Sequence, residues 1–216
     1  MVLHLIPGLL AYGLLRTVRL PLQRVMDISS AEAQIGVTMT TIMLMMGLAT
    51  FAFARILDRL TLRETLRFTG LARFDLLAAL LAVAFWAVVL VVPRILGYED
   101  AIRSLVERVD WLALPSWHFQ LNDGFRRLPL AVGAFAITAN LVCEELWFRG
   151  YLQDKLSFLG KAGWVVAGLL FTLYHVFEAP IVYPGFLAGL ALAGLWALRR
   201  DLWSCILLHA LLNAPA

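Results

Sequence analysis

The sequence predicts an all-α fold, a polytopic transmembrane bundle of about six to eight helices. Three observations carry this expectation. Of 216 residues, 62% are hydrophobic and only 15% charged, whereas a soluble domain is nearer half apolar and a quarter charged. Mean hydropathy is +0.82. The apolar residues also fall in runs that approach the ~20 residues a bilayer crossing needs. A soluble all-α enzyme of this size could not hide so much apolar surface.

Taken in chain order, Val2–Leu15 is a short run holding Pro7 and Gly8, either a span or an interfacial helix. It lacks the basic leader and small-residue cleavage site of a signal peptide. Spans are expected at Ile35–Ala54, Leu76–Val92, Leu128–Phe148, Gly163–Val182, Gly185–Leu198 and Leu202–Ala214. The last two are short enough to be tilted or to form a tight hairpin. Two connectors are amphipathic. In Arg55–Phe74, Arg59, Arg63 and Arg67 recur every four residues, a basic stripe suited to an anionic lipid surface. In Tyr98–Trp117, Ile102, Leu105, Val109 and Leu112 keep helical spacing, as an interfacial helix or a cover over a site would. The whole chain, 1–216, reads as one integral membrane domain. Residues 1–127 supply N-terminal membrane helices with amphipathic connectors, and residues 128–213 supply helices that carry motifs.

The net charge of +3 is modest and sits mostly between the apolar runs. It is orientation charge rather than a nucleic-acid footprint. Lys155, Lys161, Arg199, Arg200 and the Arg55–Arg73 segment fall on one side, and the loop Tyr183–Pro184 on the other has no basic residue. The basic side is therefore expected to be cytoplasmic. Pro93–Arg127 holds five Arg and five acids and argues weakly the other way. The Arg-, Ala- and Leu-rich composition is bacterial in character, which points to an inner (plasma) membrane. Cys143 and Cys205 lie in apolar runs and read as small buried hydrophobes. Trp164, Trp196 and Trp203 read as interface anchors, His4 and His118 as interfacial, and Gly185, Gly189 and Gly194 as close-packing positions.

Ionisable residues within spans are costly and mark function. Here they come in pairs four apart: Glu145 with Arg149, and His209 with Asn213; Phe171 and His175 share the same spacing. Each pair shares a helix face. At 1.5 Å per residue, Glu144, His175 and His209 lie about 13, 18 and 10 Å from the basic side, close enough for one polar cluster reached from the cytoplasmic face. Glu145 faces Arg149. Glu144 points about 100° away, finds no partner in its own helix and is left to face the histidines. Carboxylates taken out of water hold protons tightly, as a general base near neutral pH requires. Asn213 adds a neutral donor of the oxyanion-hole kind. This is a hydrolase set without an obvious serine or cysteine nucleophile. Glu144, His175 and His209 would equally make a His₂Glu site for zinc with a metal-bound water, although no H-E-x-x-H occurs.

Glu144-Glu145-Leu-Trp-Phe-Arg149-Gly resembles the E-E-x-x-x-R motif with its F-R-G continuation. Phe171-Thr-Leu-Tyr-His175 resembles F-x-x-x-H, and His209-Ala-Leu-Leu-Asn213 resembles H-x-x-x-N. Three such motifs in this order on apolar helices resemble the CPBP family (CAAX proteases and bacteriocin-processing enzymes, or Abi), which includes the type II CAAX prenyl endopeptidases. The resemblance covers about Leu128 to Asn213. It implies an intramembrane endopeptidase acting at the bilayer on a membrane-associated or lipidated peptide, a CAAX-like one included. In that analogy Glu144 and His175 activate water, and His209 with Asn213 stabilises the oxyanion. Glu145 and Arg149 hold the site, and Phe171 packs against it. The commoner account of the family requires no metal cofactor; zinc is the alternative. Rival readings of the same residues are a non-catalytic immunity or scaffold protein of that family, and a small proton-coupled transporter, which lacks the repeat or broken-helix signals of that class.

Overall fold

A computed structural model describes residues 2–66, 76–97, 127–175 and 182–213, with positions 101, 104 and 108. Regular structure among these residues is helical throughout. Lipid offers no partner for backbone N–H and C=O groups, so apolar runs satisfy them internally as helices.

Helix α1 (Val2–Thr17) and helix α2 (Arg19–Met26) meet at a bend of 57° and together are long and apolar enough to cross a membrane. A reciprocal cap then opens α3 (Ser30–Ile35). Ser29 Oγ accepts from the Glu32 N–H, and Glu32 Oε2 accepts from the Ser29 N–H. The chain continues through a π-helical segment (Gly36–Ile42) into α4 (Met43–Ile56), so that Glu32–Ile56 forms one span. After a short α5 (Leu62–Leu66) and α6 (Leu76–Leu96), α7 (Leu130–Glu145) runs into a second π segment (Leu146–Leu152), completing the span Leu130–Leu152. A 3₁₀ stretch (Asp154–Ala162) breaks at Gly160 and leads into α8 (Gly163–Tyr174). Helices α9 (Val182–Arg199) and α10 (Leu202–Asn213) complete the described chain. Among the described residues, three helices are long and apolar enough to span, four if the bent pair counts as one, and shorter apolar helices pack beside them. The protein is an integral membrane protein with a helical bundle.

Several expectations change. The third expected span, the first to carry a motif, begins at Leu130 rather than Leu128 and ends beyond Phe148, because helical turns carry on through Leu152. Tyr183–Pro184 is not a loop: both residues lie in the first turn of α9, where proline costs no hydrogen bond. The basic stripe is not continuous, since Arg59 has φ of 58° and sits in a turn ahead of α5. Arg67, His118 and nearly all of Tyr98–Trp117 lie outside the described residues. Trp196 is no interface anchor. It is fully buried, and its Nε1 donates to Asp154 Oδ1 at 3.3 Å. His4 is likewise buried, its ring 6.1 Å from that of Phe148.

Close contacts fasten the motif-bearing helices to their neighbours. Helices α8 and α9 meet at Gly168 and Gly189, where a Cβ on Gly189 would sit 2.6 Å from the Gly168 carbonyl oxygen, as small-residue packing in membranes allows. Helix α1 presses onto the end of α8, where a Cβ on Gly8 would meet the Tyr174 carbonyl oxygen at 1.9 Å. Gln153 Nε2 donates to the Ala193 carbonyl at 2.8 Å, fastening the end of the second π segment to α9. Trp86 Nε1 donates to the Leu211 carbonyl at 3.1 Å and ties α6 to α10. Leu48, Val83, Leu130 and Leu198 are exposed, as suits a chain whose solvent is lipid.

Candidate active site

The polar residues of α7 converge with the ends of α8 and α10. Glu144 and Glu145 close α7, and both are buried beside Arg149. Arg149 Nη1 donates to Glu145 Oε1 at 3.2 Å, and its Cζ lies 4.1 Å from the centroid of the Phe171 ring. Phe171 also stands edge-on to the His175 ring at 4.7 Å and to the Phe148 ring at 5.1 Å. Its backbone carbonyl lies 2.9 Å from His175 Nδ1.

That last contact fixes a proton. A carbonyl only accepts, so His175 Nδ1 must donate and Nε2 is turned inward. Nε2 faces Glu144 Oε1 at 3.6 Å. His209 repeats the pattern with a different orienting group. Its Nδ1 lies 2.9 Å from Glu145 Oε1, and its Nε2 faces Glu144 Oε2 at 3.7 Å. When the imidazoles are neutral, two nitrogen lone pairs point at a carboxylate. Acceptors cannot bind one another, so a proton or a protic molecule must mediate between them. The charge balance agrees. Two carboxylates and one guanidinium leave the buried cluster one proton short of neutrality, and an uncompensated buried charge is costly.

Asn213 is placed differently from its partners. It is exposed at the end of α10, and its Nδ2 donates to Asn140 Oδ1 at 3.4 Å. Asn140 in turn donates through Nδ2 to Glu144 Oε2 at 3.2 Å. Glu144 therefore does have a partner in its own helix, one turn back. The expectation of none overlooked it because a single amide in an apolar run carries no charge or motif to flag it.

Glu144, His175 and His209 are also the residues that would have to hold zinc. Each imidazole has the outer contact that orients metal-binding histidines. Yet among the described residues no group of three or more His, Cys, Asp or Glu side chains could hold a metal ion.

Residues 126–215 match the family of type II CAAX prenyl endopeptidase Rce1-like proteins. The match covers somewhat under half the chain and supports the CPBP, or CAAX protease, family for this segment. No curated protein and no solved structure matches the chain. The CPBP segment takes in every helix that contributes to the polar cluster, from α7 to α10. The match supports a function of the CAAX intramembrane protease kind and a membrane-associated substrate.

Proposed function

We propose that the protein is an intramembrane endopeptidase in which Glu144 activates water, without a metal cofactor, against a peptide bond of a membrane-associated substrate. The observation that carries this reading is the meeting of four polar atoms, Glu144 Oε1 and Oε2 and the two Nε2 atoms, at 3.6 and 3.7 Å. A buried carboxylate with two imidazole nitrogens gathered around it is a set that a protic molecule such as water would satisfy.

In this mechanism water donates one proton to Glu144, with His175 Nε2 orienting it, and its oxygen attacks the scissile carbonyl carbon. The carbonyl oxygen becomes an oxyanion. Asn213 Nδ2 and the Nε2–H of protonated His209 donate to it, with Glu145 as the counter-ion of the imidazolium. Glu144 then returns the proton to the leaving amine as the C–N bond breaks. Arg149 balances Glu145, and Phe171 holds His175 and Arg149 in place. A prenylated CAAX-like peptide, whose lipid anchors its scissile bond at the bilayer, is the substrate class that fits a buried site. We place the end bearing Asp58, Lys155 and Arg200 in the cytoplasm, which in a bacterial cell means the inner membrane. The ion pairs Lys155–Asp58 and Arg200–Asp154 support a single basic end.

The deciding measurement is peptide cleavage by purified protein in liposomes. The substrates are a prenylated CAAX-type peptide and hydrophobic fluorogenic peptides, offered to wild type and Glu144→Gln, each with and without chelator. Cleavage that chelator leaves intact and Glu144→Gln loses by at least about 10²-fold supports the proposal. Cleavage abolished by chelation, or retained in Glu144→Gln, refutes it.

A further inference from the structure

We infer that Asn140, which lies outside the three motifs, is the positioning residue that decides which oxygen of Glu144 does the chemistry; this rests on Glu144 being the base. Asn140 is 8% exposed, in the middle of the apolar run of α7. A buried amide must have both its ends satisfied. Both of its partners come from the site: Glu144 Oε2 at 3.2 Å and Asn213 Nδ2 at 3.4 Å.

The chemistry of these groups leaves one orientation. An ionised carboxylate only accepts, so Asn140 must turn its NH₂ toward Glu144. Its Oδ1 then faces α10, and only a donor can meet it there. Asn213 must therefore present its NH₂ rather than its carbonyl. One residue sets both amides.

Two consequences follow for the reaction. Oε2 of Glu144 is engaged by Asn140, whereas Oε1 is buried, receives no hydrogen bond and faces His175 Nε2. Oε1 is thus the oxygen that takes the proton from water, and Oε2 is the anchored one. The Asn213 amide carries two protons. Asn140 takes one, and the other is presented, already aimed, to the oxyanion. Asn140 touches neither water nor substrate in this scheme; it acts through the two residues that do.

The test compares Asn140→Ala, which leaves space, with Asn140→Leu, which fills it. Glu144→Gln and Asn213→Ala are assayed alongside on the fluorogenic and prenylated peptides. A hydrogen bond to a charged group is worth about a 10- to 100-fold effect. The expected result is a fall in kcat of that size in both Asn140 variants, with KM within about threefold of wild type. Adding Asn213→Ala to either variant should cost little more, because the residues act as a unit. A second readout needs no turnover. The infrared carboxyl band that disappears in Glu144→Gln should shift in both Asn140 variants. Normal kcat in Asn140→Ala and Asn140→Leu, a loss confined to KM, or an unmoved carboxyl band would overturn the inference. If Glu144→Gln stays active while the band still shifts in the Asn140 variants, the failure belongs to the assignment of the base and not to the Asn140–Glu144 contact.

Discussion

The Arg149 guanidinium lies over the Phe171 ring at 4.1 Å while its Nη1 holds Glu145 Oε1 at 3.2 Å. A fully buried cation is thus enclosed between a ring face and a carboxylate. A desolvated contact of the first kind is worth about 2 kcal/mol. Removing one partner of a buried ion pair costs about 3–5 kcal/mol, because the other charge is stranded. Arg149→Met should lower stability in detergent by that larger amount. Combining it with Glu145→Gln should recover part of the loss, since the stranded charge goes too. Thermal unfolding of the single and double variants checks this, and strict additivity would contradict it.

His209 touches Glu145 through Nδ1 and faces Glu144 through Nε2. If Glu145 works by orienting this ring, then Glu145→Gln and His209→Ala damage the same step. Each should reduce kcat/KM by about 10²-fold, and the double variant should be little worse than His209→Ala alone. Losses that multiply would mean that Glu145 acts by another route.

Gly8 lies far from the motifs in sequence but against the carbonyl of Tyr174, the residue before His175. Gly8→Ala should displace α1 or the end of α8. The expected cost is about 1–3 kcal/mol of stability, the usual penalty for overpacking. Cleavage should fall with it, because the Tyr174 ring packs against His175 at 4.5 Å. Gly13→Ala, where an added Cβ meets nothing within 4 Å, is the control and should be silent.

Asp58 pairs with Lys155 at 2.5 Å outside the spans, and the Lys155 hydrogen bond holds its carboxyl below the ordinary range against the opposing effect of burial. A lowered folded value stabilises above the unfolded value near 4, and the contribution disappears as pH falls through the folded value. Both side chains are partly exposed, so the effect should be at most about 1 kcal/mol. Lys155→Met should melt slightly earlier than wild type at pH 7, and the gap should close below about pH 4. A gap that persists in acid would assign the effect to packing of Lys155 on the Tyr151 ring, which lies 5.0 Å away.

The helices were legible because lipid imposes one solution on a long apolar run, although three or four of the described helices, rather than six, are long and apolar enough to span. The expected and observed helices differ mainly at their ends. The motif residues were legible because charge in such a run is conspicuous. Hidden were features set by register and by neighbours. The π segments at Gly36–Ile42 and Leu146–Leu152 leave no compositional trace, since their side chains suit an α-helix equally well. Asn140 is a neutral amide whose importance depends on Asn213, a partner 73 residues away. The burial of Trp196 depends on Asp154, and hydropathy alone sends a tryptophan near a span end to the interface.

The wider turns between Leu146 and Leu152 act as an angular offset in a drive shaft. A π segment is an α-helix with extra backbone in one turn. It lets the glutamates upstream and Gln153 downstream point in directions that no uniform helix would give them together. Two alignments are thereby met at once: carboxylates toward the imidazoles, and an amide toward the Ala193 carbonyl. A chain one residue shorter here would remain apolar, helical and hydrogen-bonded. It would also be mistimed, with either its chemistry or its fastening to α9 turned away.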